Sequence, residues 1–291
     1  MTIVILSAGI ISISFASIFI RFCDDVPAIM IATYRLVIAS AILVTIFKIK
    51  GHAFKNIRKR DLILSFLGGV FLSLHFITWI ASLKYTSVAS SVVLVTTNPI
   101  FVGVFSYFFL KEKQNIELII GIILSLVGSI MIALSDTGLD GLTLMNRSAL
   151  LGDMLALIGA VMASGYLIVG SKVRARLDIL TYITVVYSIS AIILLIASIL
   201  LEIPFGGYKN SSYLYLVLLA VLPQLIGHTS INWALKHLKA SMVAITILGE
   251  PVGATLLAYM FFSEVIDIYQ FMGMILIFGA IITASRRSTK R

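Results

Sequence analysis

The sequence predicts an all-α membrane protein with ten transmembrane helices, arranged as two inverted-topology repeats of five helices each. The first of three supporting observations is composition: of 291 residues, 60% are hydrophobic and 12% are charged, and the mean hydropathy is +1.09. A soluble domain is about a quarter charged. The composition therefore excludes a soluble enzyme, a disordered protein and a nucleic-acid-binding protein.

The second observation is a series of apolar stretches long enough to cross a bilayer, which takes roughly 20 helical residues. They are continuously apolar, whereas strands of a membrane barrel alternate in polarity. The first stretch has no basic residue before it and no small-residue cleavage site, so we interpret it as an uncleaved helix and not a signal peptide. The predicted helices cover residues 2–20, 27–47, 61–83, 86–109, 115–134, 149–170, 178–201, 212–235, 240–262 and 265–285.

The distribution of positive charge predicts the orientation. With the N-terminus inside, seventeen of the 22 Lys and Arg residues fall in inner loops and four in outer loops. An excess of basic residues marks cytoplasmic loops. We therefore expect a multi-pass protein of the cell membrane, plasma or inner, with both termini in the cytoplasm and its basic loops against anionic lipid head groups.

The third observation is an internal repeat, because a shift of 152 residues aligns the two halves with ten identities over residues 83–124. Five helices in each half make the two copies cross the membrane in opposite senses, as in secondary transporters whose site lies near the midplane. We expect a first repeat at 1–135, an outer linker at 136–148, and a second repeat at 149–291 that ends in a short basic cytoplasmic tail. The matched pairs include Pro99 with Pro251, Glu112 with Glu264, and Gly121 with Gly273.

The repeated motifs resemble the EamA-type branch of the drug/metabolite transporter superfamily. Arg35 in the second helix and Gly152-Asp153 at the start of the sixth fit the same pattern. The resemblance covers nearly the whole chain and implies ten helices, two EamA repeats and transport of small metabolites, including amino acids. The motifs that carry it are Ser82-Leu83-Lys84, Asn98-Pro99, Leu110-Lys111-Glu112, Gly121 and Gly128, and then Ala234-Leu235-Lys236, Glu250-Pro251, Glu264, Gly273 and Gly279.

Charged side chains within the predicted helices are functional candidates, since each costs about 2.5–3.5 kcal/mol at a helix centre. Glu250 lies near the middle of the ninth helix, and Arg35 lies in the second. Pro99 and Pro251 each free a backbone carbonyl four residues earlier. Such carbonyls are tolerated only where protein or water can meet them, so we expect a wet central cavity lined by helices two, three, four, eight and nine.

Polar and aromatic residues extend this candidate site. Gln224, His228 and Asn232 are spaced four apart and form one stripe along the eighth helix. His75 and Trp79 share a face of the third helix. The predicted substrate-binding residues are Glu250, His228, Arg35, Asn98, Asn232, Gln224, His75, Trp79, Tyr34 and Trp233.

Each of these residues also has a structural interpretation. Glu250 and His228 are the leading proton-coupling candidates, because His titrates near neutral pH, yet Glu250 can instead pair statically with Arg35. The histidines can be hydrogen-bonded packing residues, and Arg35 can be an anchor. Aromatic residues near helix ends can belong to an interfacial belt. Tyr166 is one of the aromatic residues whose role the sequence leaves open.

We predict a secondary transporter that moves a small polar metabolite by alternating access, driven by a substrate or proton gradient. An amino acid or related amine is favoured, because a carboxylate and a guanidinium at depth match a zwitterion. The alternatives are a transporter of a larger anionic or nucleoside-type metabolite and, from a different class, a membrane enzyme that acts on a lipid. The single cysteine excludes an internal disulfide and a multi-cysteine metal site, and the chain has no nucleotide-binding or hydrolase motif. We therefore expect no cofactor and no metal, and a transporter in preference to an enzyme, although missing motifs do not exclude a membrane enzyme.

Overall fold

The structure is a computed structural model that describes residues 2–53, 57–82, 85–86, 91, 94–137, 147–263, 266 and 268–285. Within these ranges all regular secondary structure is helical. Several predicted features lie outside the described residues, namely Lys84, Glu264, most of the linker (138–146) and the basic tail (286–291).

The helices lie within a few residues of their predicted positions, except that the described part of the fourth begins later. Seven of them, the first three and the sixth to ninth, are long and apolar enough to cross a membrane, so the chain is a multi-pass membrane protein. Ten crossings in two inverted repeats remain a prediction. The helices are α1 (Thr2–Phe22), α2 (Ala28–Ile49), α3 (Lys59–Ser82), α4 (Asn98–Leu110), α5 (Ile116–Thr137), α6 (Arg147–Arg174), α7 (Ile179–Leu200), α8 (Asn210–Ala234), α9 (Ala240–Phe262) and α10 (Ile268–Ser285).

Local sequence explains several helix ends. Asp178 is the N-cap of α7: its carboxylate accepts a hydrogen bond from the Thr181 backbone N–H at 3.0 Å. α4 and α9 each end on a residue with left-handed backbone, Lys111 (φ 56°) and Ser263 (φ 55°). Few residues other than glycine adopt this conformation. The two positions are 152 residues apart, so the chain ends these helices in the same way.

Two helices are irregular near prolines. α9 is interrupted at Leu248, between Ala240–Ile247 and Gly249–Phe262, three residues before Pro251. α8 contains a π-helical stretch, Ala220–His228, that includes Pro223. Proline removes a backbone donor and crowds the preceding turn, and π-helical turns are frequent at functional sites.

The helices pack in pairs that recur five helices along the chain. α3 packs on α6 as α8 packs on α1, and α3 contacts α7 as α8 contacts α2. α4 contacts α6 as α9 contacts α1, while α2 pairs with α7 and α5 with α10. The apolar core fills the centre of this arrangement, chiefly from α2, α3, α6, α7 and α8.

Small residues allow two of these pairs to approach closely, as is typical of helices in membranes. A Cβ atom at Gly128 of α5 would lie 2.6 Å from the carbonyl oxygen of Gly273 in α10. A Cβ atom at Gly9 of α1 would lie 2.6 Å from Ser230 Cβ in α8. A side chain at either position would force these helices apart.

Polar contacts tie the ends of the bundle. At one end, the Asp25 carboxylate accepts hydrogen bonds of 2.6 Å from the Ser212 hydroxyl and from the Lys209 backbone N–H. These two bonds hold the pKa of Asp25 below its ordinary value. Near the start of α3, the buried Asp61 carboxylate accepts hydrogen bonds from the Arg176 side chain, the shortest of them from Nη2 at 2.6 Å. Both contacts join the start of a third helix in one half to a loop in the other half.

Candidate functional site

A cavity of about 170 Å³ lies at the centre of the bundle, where the irregular part of α9 meets α1, α3 and α8. The five helices that the sequence predicts as its lining, two, three, four, eight and nine, all contribute to its wall. α1 and α6 contribute as well, through residues such as Ser17 and Tyr166. Pro251 frees the backbone carbonyl four residues earlier, that of Ile247, and Ile247 also lines the cavity.

Arg35 reaches the cavity from α2 and is held on two sides. Its Nε donates a hydrogen bond to Gln224 Oε1 at 2.7 Å. Its Cζ atom lies 4.7 Å from the centre of the Phe76 ring, which is a cation–π contact. The side chain is 4% exposed, so the protein places a cation in the wall of a largely apolar cavity.

Glu250 lines the same cavity from the first turn after the break in α9. Within the described residues, no hydrogen bond or ion pair reaches its carboxylate, and Arg35 is not within ion-pair distance of it. The backbone carbonyl of Glu250 accepts a hydrogen bond from the Ser14 hydroxyl at 3.3 Å, which ties α9 to α1. Glu250 and Arg35 therefore form no direct ion pair in this structure, although their charges attract each other across the cavity wall that both residues line.

Two histidines and a tryptophan add further polar atoms. His75 Nδ1 lies 2.9 Å from the Gly159 carbonyl oxygen, so this nitrogen carries the proton, because a carbonyl can only accept. The His75 ring stacks on Trp79 at 5.9 Å between centroids. His228 faces Phe76, at 5.9 Å between ring centroids. His228 Nδ1 and Trp79 Nε1 are buried without a hydrogen-bond partner among the described residues.

Asn98 completes the polar wall on α4. It is 8% exposed, and its backbone carbonyl accepts a hydrogen bond of 3.1 Å from the Ser164 hydroxyl of α6. Asn98 precedes Pro99 as Glu250 precedes Pro251. Six predicted residues thus line one cavity: Arg35, His75, Trp79, Asn98, His228 and Glu250.

The other four predicted residues lie away from the cavity wall. Gln224 and Asn232 are fully buried behind it. Asn232 Nδ2 donates to the Tyr166 hydroxyl and to the His228 carbonyl. The Tyr34 hydroxyl donates to the Phe205 carbonyl at 2.6 Å. The Trp233 ring stacks on His237 at 4.1 Å.

Phe76 and Tyr166 also line the cavity. The sequence pattern does not single out Phe76, and it leaves the role of Tyr166 open. Phe76 occupies the position 152 residues before His228, and comparison of the two halves at that shift would have identified it. Tyr166 has no such equivalent, because the position 152 residues earlier is Ser14, which contacts the backbone of α9. The packing of α6 against α8 places Tyr166 at the cavity and lets its hydroxyl accept a hydrogen bond from Asn232.

A model of the EamA-like transporter family matches residues 1–134 and 150–286. Among curated proteins, the chain is similar to an uncharacterized transporter of Clostridium kluyveri, with 29% identity over 70% of this chain and 66% of that protein. It is 27% identical to solute carrier family 35 member G1 of Mus musculus over 90% of this chain and 71% of that one. An uncharacterized transporter of Archaeoglobus fulgidus is 24% identical over 88% of both chains.

One solved crystal structure superimposes with a TM-score of 0.83 and 18% sequence identity, over 98% of this chain and 96% of that chain. At this identity the likeness concerns the fold alone.

Proposed function

The chain belongs to the EamA-like transporter family, and on this premise we propose that it moves a small polar metabolite through the central cavity by alternating access. An amino acid or related amine is the favoured substrate. Membership of the family identifies a membrane transporter and points away from an enzyme. The observation that carries the proposal is that Arg35 and Glu250 line one cavity without pairing with each other.

These two charges are complementary to a zwitterion. The Nε atom of Arg35 is occupied by Gln224 and one face of the guanidinium by Phe76, so the terminal Nη atoms remain for a carboxylate. Arginine binds carboxylates through two parallel hydrogen bonds. The carboxylate of Glu250 accepts no hydrogen bond from the described residues and suits an ammonium group. Buried charges that are incompletely paired are costly, and a bound amino acid would offset part of that cost.

The size of the cavity favours a small solute. Its volume of about 170 Å³ is below the range of about 300–1,000 Å³ for pockets that hold drug-sized ligands. A larger anionic or nucleoside-type metabolite would need the cavity to expand. The lipid-modifying enzyme remains the alternative from a different class.

Three features support alternating access between two inverted repeats, which we place at residues 1–135 and 149–291. The family model matches the chain in two stretches, the helix pairs recur five helices along the chain, and α4 and α9 end on left-handed residues at the same shift. Interrupted helices around a central site are typical of transporters built in this way.

We assign proton coupling to Glu250 and His228, the two titratable groups of α9 and α8 that line the cavity. A proton and a cationic substrate group would compete for the Glu250 carboxylate, which links their movements. We place the protein in the cell membrane with both termini in the cytoplasm, because seventeen of its 22 basic residues then lie in inner loops.

Thermal unfolding of the purified protein tests the substrate class. We would compare L-leucine, isoamylamine (the same molecule without the carboxylate) and uridine at pH 6 and pH 8. A ligand at 100 times its Kd adds about 2.7 kcal/mol to the stability. We expect L-leucine to raise the melting temperature more than isoamylamine does. A shift with uridine alone would favour the nucleoside-type substrate, and turnover of a lipid in detergent would favour an enzyme.

A further inference from the structure

We propose that Gln224 is a positioning residue for Arg35: it holds the guanidinium with its Nη edge toward the cavity and so makes the transporter selective for substrates that carry a carboxylate. The inference rests on the proposed function and deepens it. Gln224 itself would not touch the substrate, since it is fully buried and is not part of the cavity wall.

The hydrogen bond between the two side chains has a defined direction. Arg35 Nε lies 2.7 Å from Gln224 Oε1, and a guanidinium can only donate. The amide of Gln224 must therefore present its oxygen to Arg35. Because Nε is the donor used, the bond restrains the guanidinium and leaves its terminal nitrogens for a ligand in the cavity.

A second contact restrains the guanidinium of Arg35 from another side. The Phe76 ring lies 4.7 Å from Arg35 Cζ and carries the guanidinium on its face. Together, Gln224 and Phe76 hold the cation from α8 and α3 while it is attached to α2. An arginine restrained in this way loses less conformational entropy when a carboxylate binds, so the restraint strengthens carboxylate binding in particular.

α8 supplies two side chains with different tasks. The Oε1 atom of Gln224 accepts the hydrogen bond from Arg35 Nε, whereas His228 lines the cavity. Both residues lie in the π-helical stretch Ala220–His228. The Tyr187 hydroxyl donates to the backbone carbonyl of Gln224 at 3.5 Å, which braces this stretch of α8 from α7.

Uptake into proteoliposomes tests the inference with two probes, L-leucine and isoamylamine. Gln224→Leu keeps the side chain's approximate size but removes the acceptor. We expect the KM for L-leucine to rise about tenfold, the loss of one hydrogen bond to a charged group. The KM for isoamylamine and kcat for both probes should stay near their wild-type values. A purely structural role would change both probes together.

Two further variants complete the design. Arg35→Lys keeps the positive charge but has no Nε donor for Gln224, so it should also lose carboxylate selectivity. The double variant should be no worse than either single variant, since both break one interaction. Asn232→Leu is the matched control: it alters an equally buried amide on the same helix that bonds Tyr166 and not Arg35, and should affect both probes alike.

The outcomes separate the inference from the proposed function. A wild-type protein that transports neither probe contradicts the proposed function itself. A wild-type protein that transports isoamylamine just as well as L-leucine has no carboxylate selectivity, which overturns the inference and leaves the proposed function standing. A wild-type preference for L-leucine that is retained in Gln224→Leu overturns the role of Gln224. If Gln224→Leu does not fold, Arg35→Lys decides, because unchanged selectivity in that variant shows that the oriented guanidinium is not required.

Discussion

The two halves of the chain place different chemistry at equivalent positions around one cavity. Asn98 and Glu250 are 152 residues apart and each precedes a proline at the start of a helical segment, yet one is a neutral amide and the other a carboxylate. Phe76 and His228, separated by the same shift, face each other with their ring centroids 5.9 Å apart. The backbone pattern recurs while the charge does not, as expected where one cavity binds an asymmetric molecule.

The largest expected effect comes from removing the charge at one of these equivalent positions. Glu250→Gln should lower proton-gradient-driven uptake of L-leucine by about 5–150-fold, the usual range of coupling between two ligands. The amide keeps the shape of the side chain but cannot bind and release a proton as a carboxylate does. Uptake with and without an imposed pH gradient measures the coupled component.

Moving the carboxylate to the other half sharpens this test. Asn98→Asp combined with Glu250→Gln keeps one carboxylate in the cavity wall but places it on α4. We expect gradient-driven uptake to stay low, because Glu250 is tied to α1 by Ser14 whereas Asn98 is tied to α6 by Ser164, so the moved carboxylate would lie on a different wall of the cavity. Full recovery in the double variant would show that the side on which the carboxylate lies is unimportant.

The comparison extends to the helix pair α5 and α10, where glycines differ in their surroundings. Gly128→Ala should cost about 1–3 kcal/mol, the usual effect of overpacking, because its Cβ would lie 2.6 Å from the Gly273 carbonyl oxygen. Gly279 has no atom within 4 Å of an added Cβ among the described residues. Gly279→Ala should therefore leave the melting temperature unchanged or raise it slightly. Equal losses in both variants would refute close packing as the cause.

A smaller effect is expected from exchanging the rings that face each other. Phe76→His removes a cation–π contact with Arg35, worth about 0.5–2 kcal/mol, so the KM for L-leucine should rise. His228→Phe should instead reduce the response to the pH gradient. The double exchange should restore neither property, and recovery of both would mean that the two positions are interchangeable. Uptake kinetics at pH 6 and pH 8 measure both properties.

The smallest effect concerns the exposed contact at one end of the bundle. Hydrogen bonds from Ser212 and Lys209 hold the pKa of Asp25 below its ordinary value of about 3.9. The lowered pKa means that Asp25 contributes stability above its unfolded-state pKa and loses it as pH falls through the folded-state pKa. Asp25→Asn should thus lower the melting temperature slightly at pH 6 and have less effect near pH 3. A loss that is the same at both pH values would exclude ionisation of Asp25 as the cause.

The sequence was sufficient to locate the helices and the chemistry between them. Long apolar runs and turn residues are local features, so the helix positions could be predicted, as could the family from its repeated motifs. Pro99 and Pro251 pointed to the cavity, and six of the ten predicted residues line it. A charged side chain deep in the membrane is costly whichever way its helix is rotated. Arg35 and Glu250 could therefore be identified from residue type alone.

The tertiary structure decided which side chains share the cavity. Gln224, His228 and Asn232 form one stripe in sequence, but only His228 lines the cavity, whereas Gln224 bonds Arg35 and Asn232 bonds Tyr166. Tyr34 and Trp233 found partners in Phe205 and His237 instead. Burial cost depends on residue type, which the sequence states. The direction of a side chain depends on helix rotation and on partners far along the chain, and these are set only when the helices pack.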